Sequence, residues 1–203
     1  MTKKAHQDRD RLSSLPQAAN PMIRSGLAFA GATNWQKNLP LPPEAGNGYL
    51  MAQDVAQLDL WANEITVLLA CNSAVGDVHQ GEGVFGLRRA FAVAGAKTLI
   101  MSLWSVPEKA SALLMERFFN NLKQKMGRNA ALQEAQNYIR FITVEQLRQS
   151  DLGLEVLKEL TGNRNFDSVT LVEDENCQPL KHPFYWGAWI CQGETTPFDI
   201  EFG

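Results

Sequence analysis

Cys71 holds the position in this sequence that is best suited to nucleophilic chemistry. It directly follows a continuous apolar run at residues 65–70 (ITVLLA), whose length and composition predict a buried strand. The residue after a buried parallel strand lies at the sheet edge where open α/β folds place ligands and catalytic groups. Cys71 is therefore the candidate nucleophile, and the alternative is a small buried hydrophobe, a common role of an isolated free cysteine.

The number and spacing of the cysteines indicate neither a disulfide framework nor a zinc site. Besides Cys71, the chain contains Cys177 and Cys191. The chain has three cysteines, an odd number, and none of them form a Cys-x-x-Cys pair. The sequence thus predicts no metal and no cofactor, and a functional cysteine would act as a thiol.

A cysteine nucleophile needs a base, and the three histidines of the chain lie in different environments. His6 lies in a charged segment with no apolar strand before it. His79 lies in a glycine-rich stretch after Cys71, where it either folds back or is solvated. His182 precedes Pro183 at the start of a predicted final strand, about two strand spacings, ~10 Å, from the cysteine strand. We interpret His182 as part of a structural His-Pro turn.

The predicted cysteine strand and a second apolar run at residues 98–103 (TLIMSL) form the expected centre of the fold. Between them lies a predicted helix that Gly95 ends. Its buried face carries Val84, Leu87 and Phe91. Two buried strands separated by one helix favour a right-handed βαβ unit and hence a largely parallel sheet.

Later residues predict mostly helix. Ser105 and Glu108 fit a capping box that opens a helix with Leu114, Phe118 and Leu122 in one apolar row. The remaining predicted elements are a short helix at 52–60 with Val55 and Leu58 on one side, helices at 129–142 and 143–162 with a break near Gly153, a weak strand at 169–172, and a final strand at 184–191 (FYWGAWIC) that is buried on both faces.

Composition limits the class of protein. The 203 residues are 45% hydrophobic with a net charge of −3, so a core can form and no basic excess favours nucleic acid or anionic lipid. No apolar run reaches the roughly 18 residues of a membrane span, and no signal peptide is evident, so we predict a cytoplasmic protein. Residues 1–20 are predicted to be a disordered or truncated lead segment, and residues 21–203 a single domain.

Several blocks of sequence are informative together. They are NPMIRSGLAFAGA (20–32), AQLDL (56–60), LLACNSAVG (68–76), GEGVFGLRRAF (81–91), SLWSV (102–106) and HPFYWGA (182–188). In this order they resemble the CHAT domain family of caspase-like cysteine peptidases. The resemblance implies a caspase-hemoglobinase-like α/β fold, a three-layer sandwich with a mostly parallel sheet between helices. Residues 21–203 are then expected to be the carboxyl-terminal part of a CHAT-like domain, lacking its first strands.

The resemblance also implies that Cys71 is the nucleophile of a Cys–His dyad that attacks a peptide carbonyl. In such a dyad the imidazole raises the thiolate fraction, and backbone N–H groups hold the oxyanion. The family's Thr-His-Gly-like motif should end an apolar strand, but residues 1–20 contain neither that strand nor a His-Gly pair. We therefore expect a portion of a cysteine endopeptidase that keeps the nucleophile but is inactive as an isolated chain. The alternatives are a non-catalytic protein-interaction module on the same scaffold and an active peptidase with a relocated histidine.

Trp104 and Glu108 follow the strand next to the cysteine strand. In caspase-like folds the corresponding loop supplies walls of the primary specificity pocket. The resemblance therefore implies a protein or peptide substrate whose basic side chain pairs with Glu108. The alternative assigns Glu108 to the capping box and Trp104 to the core.

The predicted strand at residues 65–70 has an open edge if the family's histidine strand is absent. It carries no charge, proline or glycine that would discourage pairing with other chains. We expect self-association through this edge, recruitment of an amino-terminal polypeptide, or coverage by residues 22–32.

Overall fold

The computed structural model describes residues 22, 25–42, 44, 46–69, 82–162 and 174–198. These residues fall into two compact units, one drawn from residues 1–58 and 73–94, the other from residues 59–72 and 95–203. Helices and small mixed sheets occur together in the described ranges, in agreement with the predicted α/β class. The three-layer caspase-like sandwich stays a prediction.

The first unit contains a two-stranded antiparallel sheet and short helices. Its elements are β1 (Gly26–Ala28), α1 (Ala32–Gln36), β2 (Tyr49–Met51), α2 (Ala52–Val55) and α3 (Glu82–Val93). Residues 26–28, part of the segment expected to cover the cysteine strand, pair with β2. The helix predicted at 52–60 ends at Val55, and Leu58 is 42% exposed instead of lying on its buried side. Leu87 and Phe91 of α3 are buried as predicted.

The second unit is built on a sheet in the order β3 (Thr66–Leu68), β4 (Thr98–Ser102), β5 (Trp189–Gly193). β3 and β4 are parallel, which confirms the predicted pairing, whereas β5 is antiparallel to β4. The described part of this sheet is therefore mixed and not mostly parallel. All five residues of β4 are buried, because β4 lies between two strands and both of its faces are covered.

Four helices of the second unit follow β4 along the described chain. They are α4 (Glu108–Lys123), α5 (Arg128–Phe141), α6 (Val144–Leu147) and α7 (Asp151–Gly162). Leu114, Phe118 and Leu122 form the predicted apolar row on α4 and are at most 1% exposed. Burying each such side chain contributes about 1.5–3 kcal/mol. The row joins Ile100 of β4 in one hydrophobic core.

The predicted break between the last two helices is present, but it lies at residues 148–150, a few residues before Gly153. Gly153 lies inside the first turn of α7, where its N–H donates to the Ser150 hydroxyl at 3.0 Å. A Cβ atom at Gly153 would clash with the carbonyl oxygen of Leu147. The glycine thus permits close backbone packing and does not interrupt the helix. The strand predicted at 169–172 lies outside the described residues.

A buried arginine joins the amino ends of the strands to α5. Arg128 is 2% exposed, and its guanidinium donates to the Glu64 carbonyl at 3.0 Å, the Glu64 carboxylate at 2.6 Å and the Thr98 hydroxyl at 2.6 Å. Lys97 donates to the other carboxylate oxygen of Glu64. The Phe198 ring covers the guanidinium, with its centroid 4.4 Å from the central carbon. The hydrogen bond from Lys97, followed by that from Arg128, holds the pKa of Glu64 below its ordinary value.

A second ion pair joins α4 to α5. The Arg117 guanidinium donates two hydrogen bonds to the Glu134 carboxylate, at 2.9 and 2.6 Å. Asn121 donates to the same carboxylate and to the Ala131 carbonyl. The bond from Arg117, with a smaller contribution from Asn121, holds the pKa of Glu134 below its ordinary value.

Acid is expected to weaken this contact. Because the native pKa of Glu134 is lowered, its contribution to the free energy of unfolding is complete above the unfolded value of about 4.5 and is lost as pH falls through the native pKa. We therefore expect the free energy of unfolding, measured with urea, to decrease less between pH 6 and pH 3.5 for Glu134→Gln than for the unmodified chain. Glu116→Gln, an exposed change on the same helix pair, should leave the loss unchanged. Equal losses in all three proteins would contradict the prediction.

Candidate functional site at the carboxyl edge

The predicted nucleophile Cys71 lies outside the described residues, as do His6 and His79. The strand that leads to Cys71 along the chain is described as β3, which ends at Leu68. Since β3 is parallel to β4 and β5 is antiparallel to β4, β3 and β4 end where β5 begins. We call this side of the sheet the carboxyl edge.

Two loops at the carboxyl edge are joined by hydrogen bonds. The loop after β4 begins with Leu103, whose N–H donates to the Ala188 carbonyl at 2.9 Å. The Trp104 indole N–H then donates to the Phe184 carbonyl at 3.2 Å. Trp104 is 40% exposed and Phe184 43%. Trp104 therefore does not belong to the core, and the alternative that assigned it there is wrong.

The loop before β5 replaces the first part of the predicted final strand. Residues 182–188 form turns, and the strand begins only at Trp189. The Gly187 N–H donates to the Pro183 carbonyl at 2.7 Å, and the Phe184 N–H donates to Nδ1 of His182 at 3.2 Å. These local hydrogen bonds use backbone groups that would otherwise pair with a neighbouring strand. The expected His-Pro turn is confirmed, whereas the expected burial of Phe184 is wrong.

Glu108 begins α4 without the predicted capping box. The N-cap residue is Pro107, which has no side-chain hydrogen bond to the helix. Instead, the Lys109 N–H donates to the Glu159 carboxylate of α7 at 3.3 Å. The Glu108 side chain is 88% exposed, and the Lys109 ammonium lies 3.9 Å from its carboxylate. A capping role therefore does not account for Glu108.

Two carboxylates of α7 lie near the start of α4. The Lys109 ammonium lies 2.8 Å from the Glu155 carboxylate, and this hydrogen bond raises the pKa of Lys109 and lowers that of Glu155. Burial raises the pKa of Tyr185, and the negative charge of Glu159 raises it further. The sequence did not indicate this grouping, because its members come from three separate segments.

Two buried polar groups lie at the same edge. Ser102 and Trp189 face each other across β4 and β5 and are 6% and 4% exposed. Within the described part of the chain, the Ser102 hydroxyl and the Trp189 indole N–H have no hydrogen-bond partner. Buried polar groups are usually hydrogen-bonded, so this unused capacity needs an explanation. The sequence carried no signal for either group.

Within the described ranges, no group of three or more histidine, cysteine, aspartate or glutamate side chains could hold a metal ion. Among the helices that the structure describes, none is long and apolar enough to cross a membrane.

Comparison with known proteins gives a family and two partial relatives. The CHAT domain family matches residues 6–194. Over 90 residues, the chain is 36% identical to Tetratricopeptide repeat protein 28 of Homo sapiens and 33% identical to that of Mus musculus. The matched segment spans 44% of this chain and 4% of each relative. No solved structure matches the chain.

Proposed function

Because the chain belongs to the CHAT domain family, we propose that it carries the nucleophile part of a caspase-like cysteine endopeptidase site, with Cys71 as the nucleophile. The thiolate of Cys71 would attack the peptide carbonyl, and backbone N–H groups would hold the oxyanion that forms. Trp104 and Glu108 would contact the substrate side chain. A protein or peptide is the substrate.

The position of β3 is the observation that carries this proposal. β3 pairs in parallel with β4, so the chain beyond Leu68 continues towards Cys71 from the carboxyl edge. Trp104 and Glu108 follow β4 at that edge. Open α/β sheets place catalytic groups and ligands there.

Among the described residues, no histidine is placed as the base of the proposed site. Of the three histidines in the sequence, only His182 is described, and its Nδ1 accepts the Phe184 N–H within the turn. His182 therefore has a structural role, although its Nε2 keeps its own hydrogen-bonding capacity. An unassisted thiol with a pKa near 8.5 is only a few per cent thiolate at neutral pH. The 203-residue chain alone is accordingly inactive or nearly so as an endopeptidase.

A non-catalytic protein-interaction module is the second candidate function. The relatives are named for tetratricopeptide repeats, and such repeats stack into extended surfaces that bind other proteins. In this second candidate, the carboxyl edge binds a polypeptide without cleaving it. A peptide-aldehyde probe separates the two, because covalent labelling of Cys71 requires a reactive thiol next to a peptide-binding surface.

Cys71 is expected to react with iodoacetamide faster than Cys191 at pH 7.5. Cys191 lies in β5, and burial raises the pKa of its thiol, which lowers its thiolate fraction. Time-resolved labelling followed by peptide mapping measures both rates in one sample. A Cys71→Ala variant identifies the fast phase, and Cys177, which is half-buried, is the internal reference. Faster modification of Cys191 than of Cys71 would contradict the assigned nucleophile.

A further inference from the structure

Two aromatic rings hold an exposed arginine near the end of α5. The central carbon of the Arg140 guanidinium lies 4.9 Å from the centre of the Phe141 ring and 5.4 Å from that of the Trp186 ring. The Trp186 side chain is fixed in turn, because its indole N–H donates to the Lys181 carbonyl at 3.1 Å. Gln136, one turn before Arg140 on α5, donates to the Trp186 carbonyl at 2.9 Å. We call Arg140, Phe141, Trp186 and Lys181 the basic–aromatic surface.

The N–H donors at the edge of the Arg140 guanidinium are available for a ligand. Cation–π contacts occupy the faces of a guanidinium group, whereas a carboxylate binds at its edge through two parallel N–H donors. Among the described residues, the Arg140 side chain has its two ring contacts but neither an ion pair nor a hydrogen bond. The rings restrict the side chain before any ligand arrives, so binding costs less conformational entropy than it does for a free arginine.

The acidic residues of the neighbouring described segments do not compensate the charge of Arg140. Glu134, the acidic residue of α5, pairs with an arginine of α4. In the segment at residues 174–186, Glu175 pairs with the arginine that follows α6, and Asp174 accepts a backbone N–H within its own turn. Lys181 is exposed and adds a second positive charge. The basic–aromatic surface is therefore locally positive in a chain whose net charge is −3.

We propose that the basic–aromatic surface binds an acidic segment of a partner polypeptide. An aspartate or glutamate carboxylate has the two in-plane acceptors that match the edge of Arg140. Phe141, which is 50% exposed, offers apolar area to a side chain next to that carboxylate. A long polyanion such as nucleic acid matches the chain less well, because the net charge of −3 repels it. This inference goes beyond the proposed function, since it involves neither Cys71 nor the loop after β4.

Fluorescence anisotropy with two labelled peptides tests the proposal. The probes are Gly-Glu-Phe-Glu-Gly and Gly-Gln-Phe-Gln-Gly, which have nearly the same shape and differ in charge. We expect the full chain to bind the glutamate peptide about tenfold more tightly, because hydrogen bonds to a charged acceptor are the stronger ones. Arg140→Gln should remove this preference. Arg140→Lys should keep only part of it, because lysine retains the charge but lacks the planar pair of donors.

Matched variants identify the surface. Phe141→Leu should weaken the binding of both peptides about two- to threefold, because Arg140 loses one of the rings that hold it. Arg89→Gln changes an exposed arginine of α3, and Phe119→Leu changes an exposed phenylalanine of α4; both should bind like the unmodified chain. Cys71→Ala should also bind normally, so that failure of the peptidase proposal leaves this one standing.

Four results would each overturn the inference. They are equal binding of the two peptides, no binding of either, a preference for the glutamate peptide that is undiminished in Arg140→Gln or Arg140→Lys, and tighter binding of a labelled oligothymidine strand than of the glutamate peptide. The last result would assign the surface to nucleic acid instead of an acidic polypeptide.

Discussion

Replacing Arg128 with methionine is expected to lower the free energy of unfolding by about 3 kcal/mol. Breaking a buried ion pair by removing one partner typically costs about 3–5 kcal/mol, because the remaining charge is left uncompensated. The value lies at the lower end here, since the Glu64 side chain is only partly buried and keeps its hydrogen bond from Lys97. The Glu64 carbonyl and the Thr98 hydroxyl also lose their donor, and methionine cannot replace it.

Urea unfolding of the purified chain measures this effect. Arg148→Met is the matched control, since Arg148 pairs with Glu175 at the surface at 3.2 Å, and exposed ion pairs contribute about 0.2–1 kcal/mol. The double variant Glu64→Gln with Arg128→Met should be less destabilised than the sum of the two single variants, because both changes break one shared network. A loss below that of the control would show that Arg128 contributes little to stability.

Gly153→Ala is expected to destabilise the chain by about 2–3 kcal/mol through overpacking. Intrinsic helix propensity predicts the opposite sign, because alanine is favoured over glycine in a helix by about 0.8–1.0 kcal/mol. The new methyl group would clash with the Leu147 carbonyl oxygen, which is backbone and cannot rotate away. α6 and α7 would have to separate, and Val156 and Leu157, which α7 buries, would lose contacts.

The last residue of the same helix supplies the control. A Cβ atom at Gly162 would meet nothing within 4 Å, so Gly162→Ala should be neutral or stabilise the chain by up to about 1 kcal/mol. The midpoint of thermal unfolding, followed by circular dichroism, should therefore fall for Gly153→Ala. For Gly162→Ala it should stay the same or rise. Equal midpoints for the two variants would contradict the close contact between α6 and α7.

Patterns of apolar residues within a single segment correctly predicted several helices and strands. The apolar row of Leu114, Phe118 and Leu122 predicted both the helix and the face that it buries. The apolar run at 98–103 predicted a strand covered on both faces, and β4 is such a strand. The end of the preceding helix at Gly95, whose φ is +97°, was predicted because this backbone conformation favours glycine. Family membership was also evident from the order of short motifs along the chain.

The polar contacts at the carboxyl edge depend on segments far apart in sequence. Lys109 and Glu159 are 50 residues apart, and Trp104 and Phe184 are 80 residues apart. The pattern at Ser105 and Glu108 predicted a local cap, but a carboxylate from α7 took that role.

The sequence by itself determined the family, the parallel pair of strands and the apolar faces of the helices. The order of short motifs indicates the family, and apolar runs and periodic apolar residues indicate which faces of an element are buried. Only the tertiary structure decided that Trp104 and Phe184 are exposed together and that Arg128 is buried. It also decided that Gly153 lies against a backbone carbonyl. The physical reason is that a hydrogen bond or close contact needs one particular partner, and the chain fold alone brings that partner into position.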